Sequence, residues 1–118
     1  MRIPEHPTLI QRMLEARLKK VATTRPALAA SLVTIAKHCG RPGCHCLTGG
    51  LKHTGHYLTC KIDGKTRTTY VPQDLLPEVR SWIDNHRRLK QLLHEIHLLT
   101  LARVRTHVQQ HKRRQGRP

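Results

Sequence analysis

Three features of the 118-residue sequence predict an α+β fold: a small zinc-stapled antiparallel sheet, made of a β-hairpin plus one strand, with an N-terminal helix and a long C-terminal helix. Asp63-Gly64 separates two strand-like runs and reads as a two-residue hairpin turn. Cys39, Cys44 and Cys46, with His53 following, are the ligand types of a closed tetrahedral zinc site. From position 73 to about position 110 nothing stops a helix, because Pro77 falls where a first turn tolerates it.

The length suits one domain, which buries only roughly 60–70% of the surface its unfolded chain exposes. The core is short of large rings as well, with no Phe, one Trp and two Tyr. A metal cross-link is the expected substitute, since structural zinc contributes about 10 kcal/mol or more to folding.

Residues 1–7 read as a loose N-terminus and 8–22 as the first helix, with Pro7 near its start and Thr8-Leu9-Ile10-Gln11 as a capping box. Ile10, Met13, Leu14, Leu18 and Val21 recur at three and four, while Arg12, Glu15, Lys19 and Lys20 take the other side. Thr23-Thr24-Arg25-Pro26 ends the helix, because a residue before proline is pushed out of helical geometry. Residues 31–72 form the expected β core. The β-branched run 31–37 delivers the chain to the first cysteine, and a hairpin runs from Tyr57 to Val71. The Asp-Gly turn pairs Ile62 with Lys65, Cys60 with Arg67, Thr59 with Thr68 and Tyr57 with Tyr70. One face then carries Leu58, Cys60, Ile62 and Val71, and the other carries both tyrosines with Thr59, Lys61, Thr66 and Thr68.

A helix over 73–110 would be ~50–57 Å long, more than a small domain covers. Its positions Leu75, Val79, Trp82, His86, Leu89, Leu93 and Ile96 alternate three and four, the seam of a self-associating coiled coil or of a partner helix. The competing arrangement packs the first half on the sheet and leaves the remainder solvated. Residues 111–118 read as a basic tail.

For the metal, Cys39, Cys44 and Cys46 are the firm ligands, and His53, placed in the loop before the strand, is the first choice for the fourth. His56 and Cys60 are its competitors. His38 and His45 adjoin cysteines, where neighbouring side chains diverge. Four protein ligands make the zinc structural, and no acid stands between Glu15 and Asp63 to serve as a base. No phosphate loop, His-Glu-x-x-His pattern or catalytic triad is present, so a non-enzymatic protein is expected.

Lys and Arg number 22 against 7 Asp and Glu, a formal net charge of +15, which makes polyanions the expected partners and nucleic acid the first of them. Lys61, Lys65 and Arg67 at the hairpin tip, and Arg103, Arg105, Lys112, Arg113 and Arg114 toward the C-terminus, are the candidate phosphate contacts. The scarcity of aromatics disfavours stacking on single strands, which leaves duplex DNA as the expected target and structured RNA as the alternative. A second reading is an interaction module, acting as a homodimer or on a partner helix. Such a module would be an accessory subunit of a mobile-element or nucleic-acid-processing complex. Residues 1–11 lack a signal pattern and no apolar run reaches the ~20 residues of a bilayer span, so a cytoplasmic setting is expected.

Six motifs together resemble a family of small prokaryotic proteins known only as a domain of unknown function. They are Ser31-Leu32-Val33-Thr34, Cys39-Gly40-Arg41-Pro42-Gly43-Cys44-His45-Cys46, His53-Thr54-Gly55-His56-Tyr57-Leu58, Asp63-Gly64-Lys65-Thr66-Arg67, Tyr70-Val71-Pro72 and Leu76-Pro77-Glu78-Val79-Arg80-Ser81-Trp82-Ile83. The likeness covers about residues 31–96. It implies Cys39, Cys44, Cys46 and His53 as the family's own positions, and sets His56 and Cys60 where members carry aromatics. It implies no activity.

Overall fold

The computed structural model describes residues 1–37 and 53–115. Its elements are helix α1 (Pro7–Thr23), strands β1 (Ser31–Lys37), β2 (His53–Ile62) and β3 (Lys65–Val71), a 3-10 turn (Gln73–Leu75) and helix α2 (Leu76–Gln115). The expected α+β class is the observed one. The chain divides into two compact units, one of 27–84 and one of 1–26 with 85–118.

In the unit of 27–84 the strands form an antiparallel meander in the order β1-β2-β3. Asp63 and Gly64 both have positive φ, 53° and 78°, the backbone that a two-residue hairpin turn needs to match strand twist. That turn fixes the register deduced from sequence: Ile62 opposite Lys65, Cys60 opposite Arg67, Thr59 opposite Thr68, Tyr57 opposite Tyr70. β2 begins earlier than expected. His53 is its first residue rather than part of a preceding loop, because β1 supplies pairing partners from Ser31 opposite Thr59 to Lys37 opposite His53. Period-two alternation then sends Leu32, Leu58 and Val71 to one face, where they pack with Leu76, Val79 and Ile83 of α2. Leu28, Leu75 and Trp82 complete this cluster, and the Leu28 N–H donates to the Trp82 carbonyl at 3.0 Å.

In the other unit α1 lies along the later part of α2. Ile10 and Leu14 bury against Leu99 and Ala102, with Met13 and Ile96 at the margin. The start of α1 differs from the expected capping box. His6 is the N-cap, its Nδ1 accepting from the Thr8 N–H at 3.2 Å, and Pro7 takes the first helical position where its missing N–H costs nothing. At the other end the Thr24 hydroxyl donates to the Lys20 carbonyl at 2.6 Å and closes the helix before Pro26.

Of the seven seam positions expected on α2 only Leu93 is exposed, while Val79 is buried and Trp82 and Ile96 each pack against a core cluster. Leu92 is 5% exposed and points inward, whereas Leu93 is 60% exposed. The inward positions 92, 99, 102 and 106 lie on one helical face, and within the chain it is α1 that covers Leu99 and Ala102. The helix also continues to Gln115, so Lys112, Arg113 and Arg114 form its last turn rather than a separate tail. Among the described residues no helix is long and apolar enough to cross a membrane.

Candidate nucleic-acid interface and metal centre

The basic residues singled out by sequence fall into two groups, one in each compact unit. Lys61 lies opposite Thr66, Lys65 opposite Ile62 and Arg67 opposite Cys60, all exposed, around the Asp63-Gly64 turn. Alternation puts Lys61 on the face that carries the tyrosines and Lys65 with Arg67 on the other. The hairpin end is therefore cationic on both faces, and no strand of the sheet contains an acid.

Arg103, Arg105, Lys112, Arg113 and Arg114 are exposed on α2. Arg103 donates from Nη1 to Gln11 Oε1 at 3.3 Å. Arg105 borders a cleft of about 350 Å³ that Ile3, Pro4 and Glu5 also line. The three cations of the last turn stand at the negative end of the helix dipole, where positive charge is favoured by a few tenths of a kcal/mol each. Beyond Asp84 the sequence holds a single acid, Glu95, and Arg17 of α1 neutralises it at 3.1 Å. Without that pairing the basic helix would carry a carboxylate among its cations.

Between these cations runs an apolar stripe. Leu93, Leu101, Val104 and Val108 are exposed on the side of α2 opposite Leu92, Leu99 and Thr106. Helical spacing sets Arg103, His107 and Arg114 on one flank of the stripe and Arg105 with Lys112 on the other.

Cys39, Cys44 and Cys46 lie outside the described residues, and among the described residues no cluster of His, Cys, Asp or Glu has the makings of a metal site. The described residues do fix the frame for one. β1 ends at Lys37 and β2 begins at His53, and these two residues are cross-strand partners. His53 is exposed at that end of the sheet. Its competitors are placed differently. His56 faces the other side of β2, with its Nδ1 3.1 Å from the Thr34 hydroxyl. Cys60 is half-buried beside the hairpin turn, seven residues or ~23 Å along β2 from His53. A donor set of three thiolates and the His53 imidazole suits a structural zinc ion, which would tie the ends of residues 38–52 and supply no chemistry of its own.

Sequence reasoning passed over the sheet face that α2 leaves bare. Ser31, Thr66, Thr68 and Tyr70 are exposed there, and Tyr57 meets Tyr70 edge-to-face with ring centroids 5.6 Å apart and planes at 64°. The hairpin alternation already grouped most of these residues. What it lacked was β1, whose pairing extends the face to a third strand.

No curated protein and no solved structure matches the chain. A family model does match, over residues 11–81, which take in most of α1, all three strands and the start of α2. The match begins earlier and ends sooner than the span over which the motifs resemble that family, and it covers more than half of the sequence. The chain belongs to the family described as Domain of unknown function (DUF6788).

Proposed function

We propose that this protein is a non-enzymatic, zinc-stabilised nucleic-acid-binding protein of the cytoplasm, which takes duplex DNA on its basic hairpin end and the basic C-terminal turns of α2. The observation that carries this reading is the disposition of charge. Lys61, Lys65, Arg67, Arg103, Arg105, Lys112, Arg113 and Arg114 are all exposed, the strands contain no acid, and the one acid beyond Asp84 is neutralised within the chain. Such surfaces bind phosphates by releasing counterions, so the logarithm of the affinity falls linearly with the logarithm of salt, by about 0.9 per phosphate neutralised on B-DNA. Fluorescence anisotropy of a labelled duplex, measured across salt concentrations, tests this. A slope of several units supports it, and a flat dependence overturns it.

The exposed stripe of Leu93, Leu101, Val104 and Val108 favours a second reading, in which α2 docks on a second copy or on a partner helix. Sedimentation equilibrium separates the two. A dimer that Val104→Glu dissociates supports self-association, and a monomer at every concentration removes the second copy as the occupant.

A further inference from the structure

We infer that the face of the three-stranded sheet opposite α2 is a base-reading surface that enters the major groove of duplex DNA. This rests on the duplex-binding reading above and adds to it a surface that distinguishes sequences, whereas the cations named there only position the backbone.

The face is laid out in rows by the strand register. Lys61 and Thr66 form one row, Ser31, Thr59 and Thr68 the next, then Val33, Tyr57 and Tyr70, then Ile35 and Gly55. α2 occupies the opposite face through Leu32, Leu58 and Val71. Two neighbouring strands at ~4.8 Å spacing occupy about 10 Å, and the major groove, about 12 Å wide, admits such a two-stranded ribbon. Successive rows lie ~6.8 Å apart along a strand, about twice the 3.4 Å rise of a base pair. A sheet laid along the groove therefore offers one row to every second base pair.

The chemistry of the rows is that of base edges. Ser31, Thr66, Thr68 and Tyr70 are exposed on this face, each with a hydroxyl. A hydroxyl donates or accepts, and so reads any base edge. Lys61 matches the guanine O6 and N7 acceptors, and Val33 with Ile35 offers the apolar contact that a thymine methyl takes. The four rows from Lys61 and Thr66 to Ile35 and Gly55 hold one lysine and no acid, unlike an ordinary solvated sheet, on which both signs of charge intersperse. Lys65 and Arg67, exposed on the other side of edge strand β3, are available to the phosphates that wall the groove. Duplex RNA does not fit the same surface, because its major groove is deep and narrow.

The test uses the full chain and a pool of duplexes with a randomised 12-base-pair core. Selection should enrich a preferred core, and anisotropy should give a ratio of affinities for that core over a shuffled one. In the double variant Thr66→Ala with Thr68→Ala, and separately in Tyr70→Ser, this ratio should fall roughly tenfold while the shuffled duplex keeps its affinity and salt slope. Arg113→Gln with Arg114→Gln should do the reverse, lowering the slope and leaving the ratio intact. Dimethyl sulfate footprinting of the unmutated chain on the preferred core keeps the test independent of any variant's folding, and guanine N7 should be protected. Absence of any preferred core, an unchanged ratio in the threonine and tyrosine variants, or unprotected N7 overturns the inference and leaves backbone binding standing. Tighter binding to single strands that Tyr70→Ser abolishes overturns it in favour of a stacking platform. Failure to bind any duplex removes both this inference and the reading beneath it.

Discussion

Arg17 donates from both Nε and Nη2 to Oε1 of Glu95, at 3.2 and 3.1 Å, and so joins α1 to α2 with two charge-assisted hydrogen bonds on one carboxylate oxygen. Both side chains are less than one-fifth exposed, so solvent screens the pair less than it would at an open surface. Arg17→Met should leave the Glu95 carboxylate half-buried and unpaired and lower stability by about 1–3 kcal/mol. Removing the charge as well, in Arg17→Met with Glu95→Gln, should recover part of that loss. Urea denaturation of the two single variants and the double variant measures the coupling, and strict additivity would show that the pair contributes nothing.

Leu99 and Val104 stand five residues apart on α2 with opposite surroundings, 0% and 56% exposed. Leu99→Ala empties space against Ile10 and should cost about 2–5 kcal/mol, while Val104→Ala should stay within about 0.5 kcal/mol. Equal losses at the two positions would contradict the packing of α1 on this face of the helix.

What was legible in the sequence depended on how local its determinants are. The hairpin register could be read residue by residue, because Asp63-Gly64 fixes it through two backbone angles and needs no distant partner. The existence of both helices was legible for a similar reason. The face that α2 buries was legible at Val79, Trp82 and Ile96 but not at Leu93. A pattern of three and four fits Leu93 as well as Leu92, and farther along the helix the buried positions Leu99 and Ala102 are chosen by where Ile10 and Leu14 arrive, more than eighty residues away in sequence. Thr8 reads as a cap because threonine usually serves as one, but His6 accepts the Thr8 N–H at 3.2 Å and Pro7 fills the next position. In the sequence His53 reads as a loop residue, because the partner that makes it a strand residue, Lys37, precedes the whole cysteine segment. Of the candidate site, the cations were legible from composition and position, whereas the shared bare face depended on the pairing of β1 with β2.

The metal ligands are separable by substitution. Cys39→Ser should lose both zinc and cooperative unfolding, because binding free energy at such a site is folding free energy. His53→Ala should lower zinc affinity, with metal per chain falling below one after dialysis. His56→Ala should keep its metal and forfeit only the contact with the Thr34 hydroxyl, about 0.5–1.5 kcal/mol. Elemental analysis alongside urea denaturation reads both effects. Full zinc in His53→Ala together with loss in His56→Ala would transfer the fourth ligand to His56.

Two glycines of the hairpin should respond to alanine for different reasons. At Gly64 the added Cβ meets nothing within 4 Å, so the whole cost is the positive φ of 78°, about 1 kcal/mol. At Gly55 the Cβ would stand 2.9 Å from Tyr57 Cε2, closer than carbon atoms approach, and the ring must turn away. That movement breaks the edge-to-face contact with Tyr70, which is worth about 0.5–1.5 kcal/mol beyond its buried area. Similar losses of stability would then come with different spectra. In NMR, Gly55→Ala should erase the ring-current shifts between the Tyr57 and Tyr70 protons, whereas Gly64→Ala should preserve them. If Gly55→Ala leaves those shifts in place, the Tyr57 ring does not lie over Gly55. The ordering of the tyrosine row on the bare face would then need another cause.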